Sequence, residues 1–306
     1  MVDNRGPAAD VRQHSSSDQR DHVGLNRPRF VRHSGCVKPR SIVLDLCGDY
    51  VRYRGGGIGL GAMTDLLGTF DVGADNARVV MSRLRRDGFF DTVRDGRMTR
   101  YVITERTMRI LDEGRERIFT RNAETWDGNW HLVIYQVPET ARAIRERLRT
   151  GLAWLGFGPL APSTWLSAHD RRALVDELFS EPGHSRVDQL TAQTGSLTSD
   201  RAMAARCWDL PRLAASYLDW LSQWRRQPTT ERSDRMAFVR RTSLVHSYRK
   251  FPFSDPDLPA ELLPKDWPGA TAHERFLELY RGLQAGAERC YDDVAGRRLR
   301  PSDPVM

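Results

Sequence analysis

Lysine is nearly absent, standing only at Lys38, Lys250 and Lys265. The chain is basic all the same, with a net charge of +7 and a pI of about 9.5, so almost all its positive charge is arginine. That balance favours an anionic partner, although arginine also covers helix surfaces. Cysteine is scarce as well. Cys36, Cys47, Cys207 and Cys290 are far apart, with no CxxC and no Cys/His cluster, so neither a zinc site nor a disulfide framework is indicated. His14, His22, His33, His131, His169, His184, His246 and His273 fall in no HxxxH or HxH pattern. No Ser/His/Asp arrangement follows from spacing, so the pattern points to no catalytic residue, no metal and no cofactor. No apolar run reaches a membrane span and the N-terminus lacks a signal-peptide h-region, which predicts a cytoplasmic protein without membrane contact.

What is present is organised around Val72–Thr104. Ala77, Val80, Met81 and Leu84 recur at helical spacing and predict a core-facing stripe. Beside or opposite it lie Arg78, Ser82 and Arg85, one and two turns apart, in line for one groove of a duplex. Arg86 sits further round, towards a phosphate, and Arg83 is placed to pair with Asp87. Gly88 ends the helix in a left-handed position. Phe89, Phe90 and Val93 begin a strand, Asp95-Gly96 turn it, and Tyr101, Val102 and Ile103 return. Arg94, Arg97 and Arg100 crowd that turn. A recognition helix followed by a basic hairpin is the winged helix-turn-helix arrangement, with the helix in the major groove and the wing on phosphates or the minor groove. The bland alternative is a solvated basic face.

The elements before it suit this reading. Ser41–Tyr53 predicts a helix burying Ile42, Val43, Leu46, Cys47 and Tyr50. Gly55–Gly61 reads as a loose turn, and Leu60, Met63, Leu66, Leu67 and Phe70 mark a second helix. Within that turn, Gly57-Ile58-Gly59-Leu60-Gly61-Ala62 matches a dinucleotide fingerprint, but an amphipathic helix precedes it where a strand is required. Met1–Pro39 is polar and aperiodic, which predicts disorder; its basic end reads as an arm on DNA or a solvated tail.

Beyond a helix capped by Thr104 and a linker over Arg121–Gly128, His131–Val137 reads as a strand. A helix with Ile144, Leu148, Leu152 and Leu155 inside follows, then a broken strand over Gly156–Ser167, a helix over Arg171–Phe179 and a strand over Arg186–Thr194. This order suggests a small ferredoxin-type α+β unit. In the last third, Leu210, Leu213, Tyr217, Trp220 and Trp224 share a helix face that Asp209 can cap. That stripe is either core or dimer interface. Phe238–Tyr248 is a further helix, the proline-rich Phe251–Trp267 is extended, and Phe276, Leu277, Tyr280 and Leu283 mark a closing helix before a loose tail. The expected fold class is α+β: a disordered basic tail over 1–39, a winged helix over 40–120, a ferredoxin-like domain over 126–198 and a helical domain over 199–295.

Several stretches in order carry a family resemblance: GFFDTVRDGRMTRYVIT, WDGNWHLVIYQVPE, Gly156-Phe157-Gly158, WLS at Trp165, CWDLPRLAASYLDWL and LPAELLPKDWPG. From about Ser41 to about Tyr291 the chain resembles the PaaX-type repressors of phenylacetic acid catabolism. The resemblance implies a bacterial repressor with an N-terminal winged helix, a middle ferredoxin-like domain and a C-terminal helical domain. It also implies a homodimer on palindromic double-stranded operator DNA, released by an aryl-acetyl-CoA effector such as phenylacetyl-CoA; the effector's residues are not identified. The middle domain is similar to the ferredoxin-like nuclease subunit of CRISPR adaptation complexes, whose first strand ends in a metal-binding aspartate. Here that strand ends Tyr135-Gln136-Val137-Pro138, with Glu139 beyond the proline, so the fold alone carries over. The rival readings are a metal-dependent nuclease built on this domain and a winged-helix scaffold for protein contacts.

Overall fold

The computed structural model describes residues 38–95, 98–121, 125–138, 140–180 and 186–296. The expected disordered tail up to residue 37, Gly96 and Arg97 of the expected hairpin turn, Glu139 and the end of the chain from residue 297 lie outside the described residues.

Helix α1 (Pro39–Asp49) opens on a proline, whose missing N–H is harmless in the first turn. It buries Ile42, Val43, Leu46 and Cys47 together with Asp45 and Asp49. The helix expected to reach Tyr53 stops at Asp49, and a 3-10 turn covers Val51–Tyr53. The glycine run is not a loose turn. It holds a strand, β1 (Gly57–Gly59), before α2 (Leu60–Gly68) and α3 (Ala74–Arg86). Strands β2 (Phe90–Asp95) and β3 (Met98–Ile103) follow, and β3 is central, paired antiparallel with both β1 and β2. The strand carrying the glycines therefore belongs to an antiparallel ribbon, not to the βαβ unit a dinucleotide site needs. Next comes α4 (Glu105–Phe119), capped by Thr104, whose Oγ1 accepts from the Thr107 N–H at 3.3 Å.

The second sheet is built from β4 (Trp130–Gln136), α5 (Arg142–Trp154), β5 (Gly158–Ala161), β6 (Thr164–Ser167), α6 (Arg172–Leu178) and β7 (Arg186–Ala192). Its order is β5-β6-β4-β7, antiparallel throughout. The stretch read as one broken strand is thus a hairpin, turned at Ser163 with φ +57°. Strand β4 is apolar on both faces because both are covered. Val133 and Tyr135 pack with Leu148, Leu152, Val175 and Phe179 on one side. Trp130 and Leu132 pack with Ala204, Cys207, Leu258 and Leu262 on the other.

The remaining helices are α7 (Leu197–Cys207), α8 (Leu210–Trp224), α9 (Asp234–Tyr248), α10 (Gly269–Gly282) and α11 (Gln284–Gly296). Helix α7 and the division of the closing helix at Leu283 were not expected. Asp209 does cap α8, accepting from the Arg212 N–H at 3.1 Å, with Pro211 in the first turn. Leu213, Tyr217, Trp220 and Trp224 are core, packed on Tyr248, Phe251 and Phe276, and so are not available as an interface. The proline-rich connection contains 3-10 turns at Phe251–Phe253 and Ala260–Leu262.

The C-terminal helices hold α1 in place. Asp45 receives His246 Nδ1 at 2.6 Å and lies 2.7 Å from Arg249 Nε. One turn on, Asp49 accepts from Arg241 at 3.3 Å and from the Tyr280 hydroxyl. Buried acids demand such partners, since an unpaired charge there is costly. Tyr291 of α11 stacks on Tyr50 with centroids 5.0 Å apart. No described helix is long and apolar enough to cross a membrane.

Candidate nucleic-acid interface and adjoining cleft

Helix α3 rests on α1, α2 and β2 through buried Ala77, Val80, Met81 and Leu84. Gly73 precedes its first turn and Gly88, at φ +77°, closes its last. The Gly88 N–H bonds the Arg85 carbonyl at 3.0 Å, and the Phe89 N–H reaches back to Leu84 at 2.9 Å. This double closure is the Schellman arrangement, which fixes where the strand leaves the helix.

At about 3.6 residues per turn, the line opposite the buried stripe runs through Asp75, Val79, Ser82 and Arg86. Arg78 and Arg85 flank it on one side, Asn76 and Arg83 on the other. The outermost ridge thus carries Ser82 and Arg86, while Arg78 and Arg85 sit beside it. Arg78 and Arg85 thus stand roughly a quarter-turn round from Arg86, on one flank of the exposed face.

The charges sort by partner. Arg78 lies 2.7 Å from Asp75 on the exposed surface. Asp87, expected to pair with Arg83, instead takes Arg40 of α1 at 2.5 Å, and the Arg40 guanidinium lies over the Phe89 ring. Among the described residues, Arg83, Arg85 and Arg86 then have no acid partner. They are exposed in the last turns of α3, and no described neighbour spends their charge.

The hairpin splits its arginines between two faces. Arg94 pairs in register with Thr99, on the face that carries Phe90 and Tyr101 towards the helices, and is exposed. Arg100 pairs with Val93 on one side and Gly59 on the other, on the opposite face. Its Nη2 donates to the Gly57 carbonyl at 3.2 Å. A Cβ at Gly57 would stand 2.6 Å from Arg100 Nε, so the absence of a side chain there seats the arginine. Arg100 is therefore set back from the tip and braces β1 against β3.

A cleft of about 680 Å³ opens where the end of α4 meets α5, α6 and the C-terminal helices. Arg117, Arg121 and Arg171 line it with Trp154, Tyr217 and His273, and five acids, Glu113, Glu116, Glu177, Asp255 and Asp257, line it too. The Arg117 guanidinium lies 4.7 Å over the Trp154 ring and donates to the Trp154 carbonyl. Burial, with the charge of Arg171 added, holds its pKa below the usual guanidinium range. Arg121 pairs with Asp255 at 3.1 Å, and the Tyr217 hydroxyl donates to the same carboxylate at 2.7 Å. Burial raises Asp255 above the ordinary carboxylate range, against the pull of Arg121. Arg117 Nη1, Arg121 Nη1 and Arg171 Nε are buried donors without a hydrogen-bond partner among the described residues. Buried donors are rarely left so. No group of three or more His, Cys, Asp or Glu that could hold a metal ion occurs among the described residues.

Three family profiles match in chain order: PaaX-like protein over residues 38–107, the PaaX protein central Cas2-like domain over 123–204 and the PaaX-like protein C-terminal domain over 208–293. The transcriptional repressor PaaX of Escherichia coli strain K12 is 30% identical over 271 residues, 84% of this chain and 85% of its own length. The chain belongs to the PaaX family. Among solved structures, the uncharacterized protein Rv0674 from Mycobacterium tuberculosis superposes with a TM-score of 0.58 at 22% identity. It covers 84% of this chain and all of its own, a likeness of fold alone.

In PaaX-family terms, α1 to the start of α4 fall in the first matched segment, the four-stranded sheet in the second and α8 to α11 in the third. Reading the sequence missed the seat that Gly57 gives Arg100, and the cleft arginines. Gly57 was read only as part of a turn and of the GxGxxA match, because glycines crowd it at 55, 56 and 59; its seat for Arg100 left no signal. Arg117, Arg121 and Arg171 converge from distant segments, which no local spacing can show.

Proposed function

We propose that this PaaX-family protein is a DNA-binding transcriptional repressor. In this reading α1–α3 and the β1-β3-β2 ribbon form a winged helix over 40–120. The β4–β7 segment is a ferredoxin-like domain over 126–198, and the last helices form a third domain over 199–295. The observation that carries the proposal is α3. Its exposed face ends in Arg83, Arg85 and Arg86, which no described acid neutralises, while Asp87 is withdrawn by Arg40. Ser82 and Arg86 enter the major groove; Arg78, Arg85 and Arg94 take phosphates. One winged helix reads one half-site, so the operator complex is a homodimer on two-fold DNA.

The cleft is the effector site. Its volume falls in the usual range for ligands, about 300–1,000 Å³, and its unpartnered arginine donors suit an anion beside the Trp154 ring. An aryl-acetyl-CoA thioester has both features, which makes an aromatic-acid catabolic operon the target. Release follows through α4. This helix carries Arg117 in the cleft, and at its other end the Thr104 hydroxyl donates to the Gly88 carbonyl at 2.9 Å, at the close of α3. Its 15 residues span about 22 Å.

A gel shift with DNA upstream of the protein's own gene, with and without magnesium, tests the proposal. Retardation without cleavage, reversed by an acyl-CoA thioester, is expected. Cleavage in magnesium supports a nuclease, and no retardation leaves a protein-contact scaffold.

A further inference from the structure

Val79 is the odd member of the α3 ridge. It is 46% exposed, on the same line as Asp75, Ser82 and Arg86 and one turn before Ser82. A β-branched residue in mid-helix is held in one rotamer and is a poorer helix former than alanine, arginine or lysine. Val80 and Met81 carry the packing of this turn, and Val79 is left largely exposed. Its surroundings are polar and mostly cationic: Arg78, Arg83 and Arg86 with Asp75 and Asn76. An apolar side chain exposed on the ridge between Asp75 and Ser82, with Arg86 one turn beyond, has one complement in the major groove of duplex DNA, the C5-methyl of thymine. That group is the apolar feature of the major groove and distinguishes an A·T pair by its position.

We propose that Val79 is a specificity-determining residue that packs on a thymine methyl in each half-site, next to the base met by Ser82 and Arg86. This inference rests on the reading of α3 as a recognition helix. Ser82 is short enough to let the backbone approach, and the branched Val79 side chain then meets the methyl without losing rotamer freedom.

The test begins with selection of binding sites from random duplex DNA by the full chain. Each thymine of the selected site is then replaced by uracil, which lacks the methyl and keeps the pairing. One uracil in each half-site should weaken wild-type binding about fifteenfold, the effect of two buried methyls at about fourfold each. The same replacement should leave Val79→Ala unaffected, since that variant has already lost the contact. Val79→Thr, which keeps one methyl at the branch, should retain part of the uracil sensitivity. Matching circular dichroism shows that the variants fold. If a site is selected but uracil weakens wild type and Val79→Ala equally, or at no position, the inference is overturned while the DNA-binding reading stands. If no sequence is enriched, sequence-specific binding fails and the inference with it.

Discussion

Arg94 and Arg100 stand on opposite faces of the hairpin, and Arg94 is exposed. Arg100 is bonded to the Gly57 carbonyl and set behind the hairpin tip. Replacing it with alanine should lower stability by about 1 kcal/mol, the net worth of one hydrogen bond. It should leave the salt dependence of DNA binding unchanged. Denaturant melts and a salt titration measure both, and a shallower salt slope would put Arg100 on a phosphate after all. His273 makes a separate prediction. Burial, and then the charge of Arg121, hold its pKa below the ordinary 6.5. The folded imidazole is neutral at a pH where the unfolded one takes a proton. The unfolded chain then binds more protons, so stability falls as pH drops through about 6.5 and levels off once the folded group titrates. Urea midpoints across this window should show a flatter acid limb for His273→Asn than for wild type. Identical limbs would contradict this reading of His273.

Elements were legible where a side-chain period or a cap announced them. The α3 stripe, the Thr104 and Asp209 caps and Gly88 all stand where the sequence put them, because each acts within a few residues. β1 was invisible. A strand of Gly57, Ile58 and Gly59 has one side chain to read, and only pairing with β3 makes it a strand. The β5–β6 hairpin was hidden for a similar reason, since its turn uses Ser163 at positive φ where Asn or Gly would have signalled it. Helix α7 has little amphipathic signal because it covers a sheet with Ala204 and Cys207, small residues that carry no stripe. Gly88 gives the element-scale prediction. At φ +77° an added Cβ meets no atom closer than 3.9 Å, so Gly88→Ala strains only the backbone. The expected cost is about 1–2 kcal/mol, read as a lower denaturant midpoint with unchanged slope. A loss under about 0.5 kcal/mol would mean that the Schellman closure does not set the end of α3.

At the scale of the whole molecule, the α1–α3 segment is held from two sides. Arg241, His246 and Arg249 of α9 and its border grip Asp45 and Asp49, and α4 runs from the cleft to the end of α3. The grip of α9 on α1 could not be read from the sequence, since its partners are separated by much of the chain. In the proposed reading these contacts would couple a ligand among Arg117, Arg121 and Arg171 to α3. Thr104→Val keeps the shape of the side chain and removes both its bond to Gly88 and its cap on α4, so its stability is compared with wild type first. It should leave thermal stabilisation by an acyl-CoA thioester intact while raising the thioester concentration needed to release DNA. Release at the wild-type concentration would show that coupling travels elsewhere.

The most direct measurement of the central claim is fluorescence anisotropy on a selected operator and on shuffled duplex, for wild type, Arg86→Ala and Arg85→Ala. Arg86→Ala is expected to lose roughly 1–3 kcal/mol on the operator and little of it on shuffled DNA, as a base contact does. Arg85→Ala is expected to weaken both alike and to reduce the salt slope by about one phosphate. Wild-type affinity of both variants for both duplexes, with folding intact, would contradict the assignment of α3 as the DNA-reading helix.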